Sequence, residues 1–313
     1  MFKLMDVTLR EGYYVSNNSL SNEFSKVIIE KLDNSEINNI EIGYLGDDTN
    51  SSGTEKCDFE YLDFLTDGKI EGWERCFSIM IQPEKFYEDN IDVLNDLRIG
   101  MVRLTVTKTN IQKVTKIIER LKNYNVAISV NVIRGSRLND CELKEILNTL
   151  TWTTADIIYI ADSNGAMLPQ DVKHSFNIAK EIVNKGNSQK LGFHAHNHLG
   201  MALPNALTAI ESGCDYIDAS LLGYGKSSGN LPLEVFLALL KRQYLFCPWD
   251  IQELLSLSKS FYEEIKKSDF YKSKTEGAYI GMNNLNLDEV NKIYIEENIT
   301  SLIDRRGEKI EEN

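Results

Sequence analysis

A (β/α)8 TIM barrel with a short, mostly helical C-terminal extension, in the α/β class, is predicted by three observations on this sequence. Eight short runs rich in Val and Ile recur along residues 1–245, each of strand length. Longer segments of helical period separate them, the alternation that builds a parallel sheet. The roughly 245 residues they occupy match the ~250 typical of such a barrel. A doubly wound open sheet shares the alternation, but it usually has fewer strands, and no GxGxxG follows the first run here.

In order, the predicted strands are 2–7, 39–42, 76–81, 101–106, 127–132, 157–161, 190–194 and 216–219. The first helical segment has Phe24, Val27, Ile28 and Leu32 on one stripe, with Ser21 placed to cap it. Others lie near 83–97, 110–124, 141–150, 169–184 and 201–212. A further one begins near Leu231, where Pro232 suits a first helical turn. Residues 1–245 thus read as the barrel domain and 246–313 as the extension. Within the latter, 251–267 reads as a helix, 268–284 as irregular, 287–297 as a helix and 305–313 as a charged, frayed end. A lid, a dimerisation element and a docking surface are all compatible with this segment.

At 313 residues, 42% hydrophobic and 26% charged, the chain can bury a large core. A net charge of −13 argues against nucleic-acid binding, because phosphates would be repelled. No apolar stretch approaches the roughly 20 residues of a membrane span, and the start meets Lys3 and Asp6 too soon for a signal peptide. Cys57, Cys76, Cys141, Cys214 and Cys247 are scattered, odd in number and without CxxC spacing, which points to reduced thiols in a cytoplasm.

Chemistry in such a barrel collects at the C-terminal ends of the strands, and polar residues gather there. The first run leads into Asp6-Val7-Thr8-Leu9-Arg10-Glu11-Gly12 and the second ends in Glu41-Ile42-Gly43-Tyr44. The fourth carries Arg103, Thr105 and Thr107 on one face, and the fifth carries Ser129 and Asn131. The sixth ends in Asp162-Ser163-Asn164-Gly165, and the eighth runs toward Gly225-Lys226-Ser227-Ser228-Gly229-Asn230. The seventh leads into His194-Ala195-His196-Asn197-His198, which holds three of the four histidines. Residues i and i+2 share a strand face, so His194 and His196 can offer two imidazoles to one metal ion. A solvated His-rich turn or a pair of satisfied core histidines is the other reading.

Asp6 to Gly12 resembles the D-x-T-L-R-[DE]-G signature of the DRE-TIM metallolyases, the HMGL-like superfamily. It includes 4-hydroxy-2-oxovalerate aldolase, hydroxymethylglutaryl-CoA lyase, and the isopropylmalate and homocitrate synthases. His194-Ala195-His196 and Ser228-Gly229-Asn230 match at the later strands, so the resemblance covers about residues 1–240. Ala161 to Met167, Asp218 to Gly223 and Asn230 to Phe236 are most similar to the aldolase branch. The resemblance implies a divalent-metal-dependent aldolase, a carbon–carbon lyase acting on a 4-hydroxy-2-oxo acid through a pyruvate-type enolate. It implies a cytoplasmic homodimer whose ligands are a 2-oxo acid and an aldehyde. Related aldolases pass the aldehyde to a partner dehydrogenase through a C-terminal helical region that this tail does not obviously match.

Position by position, the resemblance makes Glu11, His194 and His196 metal ligands and Asn230 a weaker one. Arg10 would face the developing enolate. Mn²⁺ or Mg²⁺ suits this ligand set, with Zn²⁺ and Fe²⁺ also compatible. Glu41, Thr105, Asp162 and Ser163 are candidate substrate-binding residues at the mouth. Two departures stand out. Aldolase relatives have a histidine where this chain has Tyr14, and a phenol of reference pKa about 10 is a poor base. Tyr14 would then donate a proton, position a hydroxyl or shape the mouth, and His198 becomes the first substitute base, ahead of Tyr279. The last loop also lacks the Gly-Glu-Arg of acetyl-CoA synthases and the cysteine of the CoA-ester lyases, which favours an aldolase. A Claisen-type acyl-CoA/2-oxo acid synthase and a catalytically idle partner-binding homologue are the alternatives.

Overall fold

The Val- and Ile-rich runs pair in parallel and in sequence order around a closed barrel. The computed structural model describes residues 2–13, 15, 20–46, 54–68, 76–86, 88–183, 189–244, 248–266 and 274–286. Its strands are β1 (Lys3–Asp6), β2 (Asn39–Tyr44), β3 (Cys76–Ile81), β4 (Ile99–Val106), β5 (Ala127–Val132), β6 (Ile157–Asp162), β7 (Lys190–Ala195) and β8 (Tyr216–Ala219). Between and after them lie α1 (Thr8–Gly12), α2 (Asn22–Asn34), α3 (Phe59–Thr66), α4 (Ile111–Leu121), α5 (Asp140–Thr151), α6 (Pro169–Val183), α7 (Ala202–Glu211) and α8 (Leu233–Tyr244). Two further helices, α9 (Ile251–Ile265) and α10 (Lys274–Met282), follow the barrel. Among the described residues no helix is long and apolar enough to cross a membrane.

Alternation along the strands divides the molecule into layers. Ile40, Ile42, Phe77, Ile79, Val102, Leu104, Val130, Ile158 and Ile217 join the helices in the main core. The intervening residues form the barrel interior. Met5, Met101, Ile157 and Tyr159 make a small apolar plug, and above it sit Glu41, Arg103, Asn131, His194 and Asp218, all buried. A bulge between Glu41 and Gly43 interrupts the β2–β3 register. Gly43 has φ +152°, and a Cβ there would lie 2.1 Å from the Thr54 carbonyl oxygen, so only glycine fits.

Several local expectations change. Segment 83–97 forms two 3-10 stretches, Pro83–Lys85 and Glu88–Asn95, rather than one α-helix. Val93 and Leu94 are buried there, and short 3-10 pieces of this kind are common connectors. α3 was not predicted, although Asp58 caps it by accepting from Tyr61 N–H at 3.0 Å. On α2 the buried stripe is Ile28, Ile29 and Leu32, with Val27 exposed; Ser21 Oγ accepts from Phe24 N–H as expected.

The region after the barrel begins with α9, which buries Leu254, Leu257, Phe261 and Ile265 and stacks Phe261 on Phe24 of α2 at 6.2 Å. Part of segment 268–284, read as irregular, is α10. Its glycines hide the helical signal, because each lowers helix propensity by about 1 kcal/mol. Gly277 and Gly281 share one face and let α10 press on the barrel mouth. A Cβ on Gly277 would fall 1.5 Å from Ser228 Oγ, and one on Gly281 would fall 2.9 Å from His198 Cβ. Asn284 then accepts from Asn164 Nδ2 and Ser136 Oγ, both at 2.8 Å. Gly277→Ala should overpack this contact by about 1–3 kcal/mol. Limited proteolysis is then expected to cut residues 274–286 faster while the barrel's Tm holds; an unchanged cleavage rate would refute the contact. The helix expected at 287–297 and the charged end 305–313 lie outside the described residues.

Candidate metal centre and substrate cleft

β1 ends at Asp6 and the chain turns at once into the buried α1. Thr8 fixes the turn, its N–H donating to Asp6 Oδ1 at 3.1 Å and its hydroxyl to Asp6 Oδ2 at 2.8 Å. Burial pushes the Asp6 carboxyl up to about 7 despite these bonds. The turn lifts Arg10 and Glu11 to the barrel mouth, where they pair with each other.

β7 brings His194 to the same place, and a backbone bridge from His196 to Asn230 sets those two residues side by side. Glu11, His194 and His196 each place a ligand atom within 4.8 Å of the others. Burial favours a neutral Glu11 carboxyl, but Arg10, His196 and His194 outweigh it and hold the group down at about 2. Burial lowers His196 well below the ordinary imidazole range, leaving it neutral as ligation requires. His196 Nδ1 has no hydrogen-bond partner. Asn230 Nδ2 donates to the Tyr224 carbonyl at 3.1 Å, which leaves its buried Oδ1 orphaned. An ionised carboxylate, two imidazoles and an unpartnered amide oxygen form a donor set that fits a divalent cation.

A chain of buried charge orients these donors. Arg10 Nε donates to Glu41 Oε2 at 2.6 Å, and Arg103 Nη1 donates to the same oxygen at 3.1 Å. Arg103 Nη2 donates to Asp218 Oδ2 at 2.6 Å, and that oxygen lies 2.9 Å from His194 Nδ1. His194 Nε2 faces Glu11 Oε1 at 3.7 Å, closing the circuit. Burial raises the Asp218 pKa, but Arg103 and His194 overturn this and keep it below the usual carboxylate range. A carboxylate on Nδ1 makes that nitrogen the proton carrier and turns Nε2 toward a metal. Arg103 also lies over the Tyr159 ring at 4.4 Å.

The centre opens into a cavity of about 520 Å³ at the C-terminal ends of the strands, with Arg10, Thr105 and Ser163 on its wall. Three sequence candidates lie elsewhere. Glu41 is fully buried and holds Arg10 and Arg103 instead of facing the cleft. Asp162 accepts from Ala166 and Met167 N–H at 3.1 and 3.0 Å, so its carboxylate braces the loop after β6; burial raises it to about 6. His198 is buried behind His196, their rings stacked at 5.7 Å, and is covered by α10. Burial and then Lys226 lower its pKa to about 4. Tyr14 lies outside the described residues. Arg103 and Asp218 were visible only as polar residues on alternating strands. Their pairing could have been inferred, since an inward-facing charge needs a partner.

A family model described as HMGL-like matches residues 99–260. The chain belongs to the HMGL-like family. A 4-hydroxy-2-oxovalerate aldolase of Geobacillus genomosp. 3 is 27% identical over 268 residues, 85% of this chain and 78% of the relative. An oxaloacetate decarboxylase of Mycobacterium tuberculosis is 25% identical over 260 residues, 82% of this chain and 75% of the relative. The solved N-terminal domain of a candidate aldolase from Bacteroides vulgatus superposes with a TM-score of 0.82 at 22% identity. That match covers 97% of this chain and 100% of the domain, a likeness of fold. The HMGL-like assignment and the named aldolases place this chain among the carbon–carbon lyases, on the aldolase branch.

Proposed function

We propose that this chain is a divalent-metal-dependent aldolase acting on a 4-hydroxy-2-oxo acid through a pyruvate-type enolate. The observation that carries the reading is the convergence of Glu11, His194 and His196 beside Arg10, with Asn230 bridged to His196. Mn²⁺ or Mg²⁺ is the proposed ion, with Zn²⁺ and Fe²⁺ compatible with the same donors. Such an ion supplies Lewis acidity and a template for the oxo acid.

The chain's own residues do the rest. Arg10 stays cationic: burial opposes its charge, but Glu11 and Glu41 outweigh that and raise its pKa. Glu41 fixes the guanidinium plane, so Arg10 presents a preorganised positive charge to the oxygen that becomes the enolate oxyanion. Ser163, on the cleft wall and bonded to Arg134 N–H at 3.0 Å, offers a hydroxyl to the substrate carboxylate. With His198 walled off, its assigned role becomes that of a packing support for His196. Tyr14, two residues beyond Gly12, is proposed as the phenol that gives the 4-hydroxyl oxygen its proton in the addition direction.

Proton NMR of pyruvate in D₂O tests the enolate directly, with manganese samples chelated before reading. Metal-dependent loss of the methyl signal is expected, and no exchange from metal-loaded protein would overturn the reading. A second test addresses the circuit. Asp218→Asn should weaken Mn²⁺ binding by about 10–100-fold, because the His194 ring loses its anionic support. Isothermal titration measures it, and unchanged affinity would remove Asp218 from the centre.

A further inference from the structure

The metal centre occupies one side of the cleft. Glu11 stands on α1 and His194 on β7, whereas Thr105 and Asn131 stand on β4 and β5, opposite β8 and β1 in a closed barrel of eight. The cavity between them is about 520 Å³. A three-carbon oxo acid, at about 10–15 Å³ of this space per water-sized group, would fill less than about a fifth of it. The acceptor aldehyde must occupy what lies beyond.

That far wall is polar. Thr105 and Asn131 are register partners across β4 and β5, and both reach the cavity. Above them Thr107 N–H donates to Asn110 Oδ1 at 2.7 Å, and Asn110 Nδ2 donates to Glu84 Oε1 at 3.0 Å. The hydroxyls of Thr107 and Thr109 lie 2.9 Å apart. Small-molecule pockets are mostly apolar with a few placed polar groups. Met80 and Ile133 line the same cavity, but Thr105, Thr107, Thr109, Asn110 and Asn131 add a run of side chains that both donate and accept, which suits hydroxyl groups better than an alkyl chain.

We infer that the acceptor is a polyhydroxylated aldehyde, and hence that the cleavage substrate is a 4-hydroxy-2-oxo acid with further hydroxyls beyond C4. This rests on the aldolase reading above. In the addition direction a methyl proton of the oxo acid leaves to a base and the resulting enolate carbon bonds to the aldehyde carbon. The aldehyde oxygen then takes up a proton. Cleavage reverses these steps, and no redox partner is needed.

The test uses the full chain, metal-loaded, with pyruvate and paired acceptors: glycolaldehyde against propanal, and glyceraldehyde against butanal. Methyl exchange is read first on the same sample. The expected result is a kcat/KM at least about tenfold higher for each hydroxylated aldehyde, since a site built to bond a hydroxyl rejects the analogue lacking it. Thr107→Val and Asn131→Leu should each bring that ratio within about threefold of unity. The ratio is taken within one variant, so any loss of folded protein cancels. Exchange without hydroxyl preference, or a ratio unmoved in both variants, overturns this inference alone. Absence of exchange overturns the aldolase reading and this inference together.

Discussion

Arg10→Ala should cut metal-dependent exchange of the pyruvate methyl protons by about 100- to 1,000-fold, the usual cost of losing one preorganised oxyanion donor. The fold should survive the change. Glu41 keeps Arg103 at 3.1 Å, and Glu11 keeps His194 beside it, so neither carboxylate is left without a cationic or ligating neighbour. Arg10→Lys should recover only part of the activity, because an ammonium cannot span Glu11 and Glu41 as the planar guanidinium does. Exchange at the wild-type rate in Arg10→Ala, with titrated metal still bound, would take Arg10 out of the chemistry.

Arg103→Met should be the most damaging single change to stability. Arg103 is fully buried and bonds both Glu41 and Asp218. Removing one member of a buried ionic set costs about 3–5 kcal/mol, chiefly because the remaining charges lose their compensation. For a domain of this size that corresponds to a Tm lower by roughly 10 °C. Thermal unfolding followed by circular dichroism measures it. Adding Asp218→Asn to Arg103→Met should restore part of the loss, because one stranded carboxylate becomes neutral. A Tm within a degree or two of wild type would show that water or rearrangement compensates Glu41 and Asp218.

The barrel was legible because its strands announce themselves twice, by Val and Ile content and by their spacing. Three of the eight, β3, β5 and β8, begin and end where predicted. The candidate metal donors were legible for a different reason: Glu11, His194 and His196 lie at or just beyond the ends of β1 and β7, which a barrel brings together. What escaped was set by contacts distant in sequence. α10 exists because Ser228 and His198 leave a flat surface for Gly277 and Gly281, and nothing within residues 268–284 reveals that surface. His198 sits beside two ligands in sequence, yet its ring turns behind His196 because α10 closes over it. Asp162 looked like a mouth residue, but its carboxylate is drawn to the backbone N–H groups of Ala166 and Met167.

The closed circuit of Glu11, Arg10, Glu41, Arg103, Asp218 and His194 has a formal charge, three carboxylates against two guanidiniums. These carboxylates and guanidiniums together carry one net negative charge, which favours a cation at the centre. A divalent ion held by Glu11, His194 and His196 would outweigh that single negative charge and attract an oxo acid's carboxylate. On the proposed aldolase reading, the ion is expected to bind before the oxo acid. Initial-rate kinetics with pyruvate and metal varied together should show that order.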